Sequence, residues 1–329
     1  MRVPDLPRFR LFDGPSPLTR APRFVDALGG GFELWLKRED LLPLAFGGNK
    51  LRNLEFLVGA ALAEGADTLV TSGRRWSNHC RLTAAAGARA GLEVHLVLSG
   101  PPAERVGANA RIEELLGATV HQLATAERDE RDAMVEHVAG ELRTRGRRPY
   151  VIGVGGSGSA GALGQALAAL ELVEQFRHLG GPPDDIVLPS ATGGTQAGIL
   201  VGLRAIGAAT RVRGMVVARP VDELRPVIER LAAGVADLLA VAPPATADVE
   251  LEASTLGAGY GVPSAAATEA ATLLARTEGV LVDPVYTAKA LGGLVALARR
   301  GELAGRRVVF WHAGGTPGIF EEGEVRDAA

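Results

Sequence analysis

A single cysteine, Cys80, stands in 329 residues, so no intrachain disulfide can form. That suits a reducing compartment. Charge of one sign is scarce too: the formal net charge is −3, which argues against a broad nucleic-acid footprint. Arg74, Arg75 and Arg81 still leave room for a local basic patch. No apolar run reaches the roughly 18 residues that a membrane span needs. The opening Met1-Arg2-Val3-Pro4-Asp5 is too polar and proline-broken for the apolar core of a signal peptide. A cytoplasmic protein without membrane or nucleic-acid partners is therefore expected. Aromatic residues make up 5% of the chain and only three are tyrosines, so each tyrosine merits a reason.

What is present is ordinary in bulk, with 47% hydrophobic and 22% charged residues. The length suggests about two domains. Short β-branched runs alternate with alanine- and leucine-rich helical patterns. Strands are expected at 68–71, 93–98, 150–152, 186–189, 212–218, 280–282 and 308–311, and a helix at 77–90. The segment 243–252 reads as a connection. Continuous apolar strands alternating with helices imply parallel sheets covered on both faces. In Gly153–Gly161, seven of nine residues are Gly or Ser, which marks a hinge between domains.

Chemistry concentrates where strands hand over to helices. Lys50 ends the turn Gly47-Gly48-Asn49-Lys50, just before a helical pattern. A lysine that loses solvation there loses pKa and becomes a nucleophile, as a Schiff-base lysine must. A surface lysine at a helix start is the competing reading. Ala191-Thr192-Gly193-Gly194-Thr195-Gln196 follows a strand and opens a helix. Backbone N–H groups and hydroxyls there suit a phosphate. Gly153-Val154-Gly155-Gly156-Ser157-Gly158 has dinucleotide-loop spacing, but no acidic residue follows the next strand. A hinge or a backbone-lined wall fits it better. Ser77, Asn78 and His79 open a helix, either as caps or as groups facing a cleft. His79 and Cys80 have no partners at metal-ligand spacing, so no metal is expected. Tyr260 and Tyr286 sit on loops flanked by Gly and Pro.

Taken in order, these motifs resemble the family of 1-aminocyclopropane-1-carboxylate deaminases and D-cysteine desulfhydrases. The similarity runs from Leu36-Lys37-Arg38-Glu39-Asp40 through the Lys50, Ser77 and Thr192 motifs to Asp283–Lys289 and His312–Phe320. It implies an α/β chain of fold type II (tryptophan synthase β-like): two parallel-sheet domains with pyridoxal 5'-phosphate in the cleft between them. The expected division is a small domain at 52–157 and a large one formed by 1–51 plus 158–329. Lys50 is then the cofactor lysine, Asn78 the partner of its phenolic oxygen, and Thr192, Gly193, Gly194 and Thr195 its phosphate site. Ser77 faces the substrate carboxylate or relays a proton, Tyr260 and Tyr286 line the substrate side, and Thr287 faces the ring nitrogen. A homodimer acting on a small amino acid is implied as well.

Thr287 stands where the cyclopropane deaminases carry glutamate. A hydroxyl sustains a weaker electron sink than a carboxylate, which favours β-elimination of a good leaving group to pyruvate and ammonia. Arg74-Arg75-Trp76 also departs from the small, apolar or Gln-containing stretch usual before Ser-Asn, as do Ala313 and Ala288 from a common threonine and glycine. Arg74, Arg75 and Trp76, with His79, are candidate substrate contacts. The two arginines could fork onto a second anionic group, or form a solvated turn. The competing functions are β-replacement, a cysteate-type sulfo-lyase, cyclopropane deamination, and a cofactor-binding regulatory protein without turnover.

Overall fold

The alternation of apolar strands and alanine-rich helices builds two separate sheets. The computed structural model describes residues 5–100 and 107–321. The chain starts with β1 (Leu18–Arg20), α1 (Pro22–Ala27) and β2 (Glu33–Arg38), then enters α2 (Lys50–Ala63) at Lys50 itself. Four parallel strands follow: β3 (Thr68–Arg74), β4 (Glu93–Ser99), β5 (Thr119–Leu123) and β6 (Pro149–Ile152). They are interleaved with α3 (Asn78–Ala90), α4 (Ala108–Leu115) and α5 (Arg128–Thr144). The C-terminal half runs α6 (Ser159–Phe176), β7 (Asp185–Ser190), α7 (Gly194–Ala205), β8 (Arg211–Val216), α8 (Val221–Leu239), β9 (Glu250–Glu252), α9 (Ala265–Glu278), α10 (Thr287–Arg299) and β10 (Arg307–His312).

One sheet has the order β5-β4-β3-β6, the other β1-β2-β10-β7-β8-β9. Every pairing is parallel except β1 with β2. Fully buried strands such as β7, with Ile186, Val187 and Leu188 at 0% exposure, read as apolar runs because helices cover both faces. Strand order reverses between β3 and β6 in the small sheet and between β7 and β10 in the large one. Such reversals open a crevice at the strand C-termini, which fixes where to look for a site.

Two strand expectations need correction. Residues 280–282 form no strand: both neighbours of β10 are already taken by β2 and β7. The Leu281 carbonyl instead accepts a hydrogen bond from His312 Nε2 at 2.8 Å. The expected connection 243–252 ends in β9, a three-residue edge strand registered on β8.

Buried ions lock the first turn of α2. Arg52 Nη2 donates to Glu39 Oε1 at 2.8 Å, and its Nη1 to Glu171 Oε2 at 2.9 Å. Lys37 Nζ donates to the Ser16 carbonyl at 2.9 Å and to Glu171. Gly164 of α6 lies so close that a Cβ would come within 2.0 Å of the Arg52 carbonyl oxygen. Helix α6 thus seats the turn that carries Lys50. Among the described residues, no helix is long and apolar enough to cross a membrane.

Candidate active site

A cavity of about 470 Å³ opens at the two crevices, a size typical of small-ligand sites. Its walls are the loops after β3, β6, β7, β8 and β10 together with the start of α2. Lys50, Ser77, Asn78, His79, Arg74, Thr192, Gly193, Thr195, Tyr260 and Tyr286 all line it. Gly155 and Val154 line it too, so the glycine-rich stretch after β6 is a wall of the cavity. Gly194, Arg75, Trp76 and Thr287 are not among the lining residues.

The sequence contains three lysines, and two of them are committed elsewhere. Lys37 belongs to the buried ion network, and Lys289 Nζ holds the carbonyls of Leu256 and Gly259 at 2.8 and 2.7 Å. Lys50 alone of the three faces the cavity. Enclosure by protein pushes its ammonium down to about 8, so about a tenth of the amine is neutral at pH 7, far more than for a solvated lysine. The scarcity of lysine was a signal that motif reading missed.

Opposite stands the N-terminus of α7. Gly193 takes φ +84° there, and a Cβ at this position would meet Ile228 Cγ1 at 2.8 Å. The free N–H groups of the first turn favour an anion. Asn49 Nδ2 donates to Thr195 Oγ1 at 2.9 Å, and Ser157 and Thr192 share a hydroxyl–hydroxyl bond of 2.5 Å. Gly194 sits behind, against Ser157. A primary amine and a phosphate cradle in one cavity fit a cofactor that carries an aldehyde and a phosphate. Among the described residues, no group of three His, Cys, Asp or Glu is placed to hold a metal.

Helix α3 presents Ser77, Asn78 and His79. Ser77 Oγ accepts from the Cys80 N–H at 3.2 Å as the N-cap, yet it also faces the cavity. Asn78 Oδ1 accepts from Arg81 Nη2 at 3.3 Å. The Thr71 hydroxyl donates to the Ile152 carbonyl at 2.7 Å, so His79 Nε2 must donate to Thr71 Oγ1 at 2.9 Å. Nδ1 is then a buried acceptor without a partner among the described residues. Burial, helped by the Lys50 charge, pushes this imidazole down to about 3 and keeps it neutral. Burial likewise drives the Cys80 thiol well up, which leaves little thiolate for nucleophilic work.

The Tyr260 and Tyr286 hydroxyls are hydrogen-bonded to each other. Burial raises both phenol pKa values, most strongly at Tyr286, where the Tyr260 neighbour adds to the effect. Both are therefore proton carriers rather than phenolates. Asp283 fixes the second: its carboxylate accepts the N–H groups of Val285, Tyr286 and Thr287 at 2.8–3.0 Å. The Thr287 hydroxyl, fully buried, donates to Asp283 Oδ1 at 2.5 Å. In this arrangement Thr287 is turned into the helix cap instead of lining the cavity.

The basic patch expected from Arg74, Arg75 and Arg81 is split apart. Arg81 is fully buried and donates to the Ala45 and Gly47 carbonyls, bracing the loop before Lys50. Arg75 acts electrostatically on Glu321. Arg74 enters the cavity, with its guanidinium 5.7 Å from the Trp76 ring centre. Trp76 is buried and meets Tyr260 edge-on at 5.9 Å. It supports the tyrosine from behind and does not line the cavity. Asn49, from the Lys50 turn, lines the cavity as well, as do Arg128, Arg131, Arg219 and Glu223, four residues that no local motif singled out.

The family model for pyridoxal-phosphate dependent enzymes matches residues 9–314. D-cysteine desulfhydrases from Salmonella typhi and Salmonella newport are each 41% identical over 320 residues, covering 95% of this chain and 95% of theirs. The crystal structure of an ACC deaminase homologue superposes with a TM-score of 0.89 at 34% identity, covering 96% of this chain and 94% of that one. A threonine deaminase isoform from Solanum lycopersicum shares the fold at a TM-score of 0.65 and 19% identity, covering 91% of this chain and 79% of that one. The chain belongs to the pyridoxal-phosphate-dependent enzymes, in the family that groups D-cysteine desulfhydrases with 1-aminocyclopropane-1-carboxylate deaminases.

Proposed function

We propose that the protein eliminates the β-substituent of a small amino acid, in the manner of a D-cysteine desulfhydrase, and releases pyruvate and ammonia. The observation that carries this reading is the convergence of Lys50, the α7 cradle and the Ser77 and tyrosine hydroxyls on one cavity, in a chain 41% identical to enzymes of that name. The two sheets correspond in this reading to two domains, 52–157 and 1–51 plus 158–329. Cytoplasmic residence and a homodimer belong to it as well, supported by the family resemblance.

Bound pyridoxal phosphate supplies an electron sink for the carbanion at the substrate α-carbon. Lys50 would hold the cofactor, and its amine, with a pKa of about 8, is well matched to take the substrate α-proton as a base. Thr192, Gly193, Gly194 and Thr195 would anchor the phosphate, and Asn78 would donate to the phenolic oxygen. Ser77 binds the substrate carboxylate. The neutral Tyr260–Tyr286 pair hands a proton to the departing group.

Borohydride treatment of the loaded protein is expected to fix the cofactor onto Lys50, with loss of its visible band. Peptide mapping that finds the label on Lys37 or Lys289 would overturn the assignment. A second expectation follows from Thr287. A hydroxyl tied to Asp283 brings no carboxylate to the ring nitrogen, so pyruvate should form from β-chloroalanine or cysteine faster than 2-oxobutyrate forms from 1-aminocyclopropane-1-carboxylate. Efficient opening of the cyclopropane would refute the argument. Recovery of a new β-substituted amino acid in place of pyruvate would mark the protein as a β-replacement enzyme.

A further inference from the structure

Four arginines from three separate elements line the same cavity: Arg74 at the end of β3, Arg128 and Arg131 in the first turns of α5, and Arg219 after β8. Among the described lining residues a single carboxylate, Glu223, opposes them. Arg128 and Arg131 are three apart and share a helix face. They also lie at the positive end of a 17-residue helix, where cations are disfavoured. Arg219 feels the repulsion: burial first, and then the charges of Arg128 and Arg131, hold its pKa below the usual arginine range.

Charge of this kind, assembled against its own repulsion, normally finds partners inside the protein. Here two guanidinium nitrogens, Arg74 Nη1 and Arg131 Nε, are buried without a hydrogen-bond acceptor among the described residues. The Asp132 carboxylate stands 3.7 Å from Arg131 Nε and is largely exposed. The cluster lies on the tyrosine side of the cavity, since Arg74 and Arg219 each interact electrostatically with Tyr260. None of the four perturbs Lys50, whose pKa is lowered by burial alone.

We propose that Arg74, Arg128, Arg131 and Arg219 form a second anion subsite that receives the β-substituent of the substrate, and that the substituent it selects is a sulfonate. A sulfonate is permanently ionised and offers three acceptor oxygens, which several guanidinium forks can share. The thiol of cysteine is largely neutral in solution at pH 7 and needs no such array. The inference rests on the β-elimination reading and narrows its substrate. Removal of the α-proton and rupture of the Cβ–S bond leave the electron pair on sulfur, as sulfite. Water then converts the three-carbon enamine to pyruvate. The balance is cysteate plus water to pyruvate, ammonium and hydrogensulfite, with no oxidant or reductant.

The test uses cofactor-loaded wild type, Arg219→Gln and Arg128→Gln. Pyruvate is measured from both hands of cysteate and of β-chloroalanine, a substrate with a small uncharged substituent. The ratio of kcat/KM for cysteate to that for β-chloroalanine is expected to fall about ten- to hundredfold in each variant, the usual value of one charge-assisted contact. Binding of 3-sulfopropanoate, which lacks an amine and cannot react, is measured by calorimetry and should weaken by a similar factor. An unchanged ratio in both variants, or a wild type that does not bind 3-sulfopropanoate, overturns the subsite. Absence of pyruvate from every substrate overturns the elimination reading instead, and the calorimetric result still decides the subsite.

Discussion

Replacing Lys50 with methionine is expected to lower pyruvate release by about 10²- to 10⁴-fold from loss of the base alone, and further because the cofactor loses its covalent anchor. Neither remaining lysine can substitute: Lys37 is held by Glu171 and the Ser16 carbonyl, and Lys289 by two loop carbonyls. The α7 cradle is untouched, so the variant should still bind pyridoxal phosphate, reversibly, with the spectrum of the free aldehyde. A pH signature accompanies this in the wild type. The attacking amine must be neutral, and a lowered lysine pKa makes it so above about 8. Cofactor loading of stripped protein should therefore quicken as the pH rises through that value and level off beyond it. A variant that keeps more than a tenth of its activity would remove Lys50 from the role.

The largest effect on stability is expected from Arg52→Met. Arg52 and Glu39 are buried, and Arg52 also forks onto Glu171. Removing the guanidinium leaves Glu39 at 0% exposure, facing Glu171 with only the Ser16 hydroxyl and Lys37 to moderate the repulsion. Breaking a buried ion pair from one side costs about 3–5 kcal/mol. For a chain of this size that corresponds to a fall in Tm of roughly 6–15 °C. Arg52→Lys keeps the charge but loses the fork, so its melting temperature should lie between the two. A loss of under about 1 kcal/mol in the methionine variant would show the network to be dispensable. Because Arg52 lies one half-turn past Lys50, the same variant should loosen Lys50 as well.

The parts of this architecture that could be read from the sequence are those set by local pattern. Strands β3 and β4 were legible because every residue from 69 to 71 and from 94 to 98 is buried, which favours a nearly continuous apolar run with Thr71 and His95 as its polar members. Strand β2 was not, because buried Lys37 breaks its pattern with a charge whose partners, Glu171, Gln175 and the Ser16 carbonyl, are distant in sequence. The triplet 280–282 has β-branched composition, but β10 is already paired on both sides, by β2 and β7. At the site, Lys50, Ser77 and the Gly193 turn announce themselves by turn chemistry. Arg128 and Arg131 sit in a run of Arg, Asp and Glu that reads as a solvated helix face. Tertiary placement alone turns Arg128 and Arg131 into the cavity. Thr287 shows the converse: its sequence position was informative, while the direction of its hydroxyl depends on Asp283.

The pairing of β2 with β10 has a consequence for how the chain is made. Glu33 lies opposite Arg307 and Arg38 opposite His312. A ribosome therefore releases β2 long before its partner exists. The four strands of the small sheet, by contrast, all lie between Thr68 and Ile152 and can close while translation continues. Until β10 emerges, β2 offers an open edge backed by Leu34 and Leu36, both destined for the core. An unpaired apolar edge invites wrong pairing. Slowing translation across residues 40–300 should accordingly lengthen that exposure and raise the demand for holding chaperones, whereas co-expressing the segment 303–321 in trans would offer the waiting edge its own partner early.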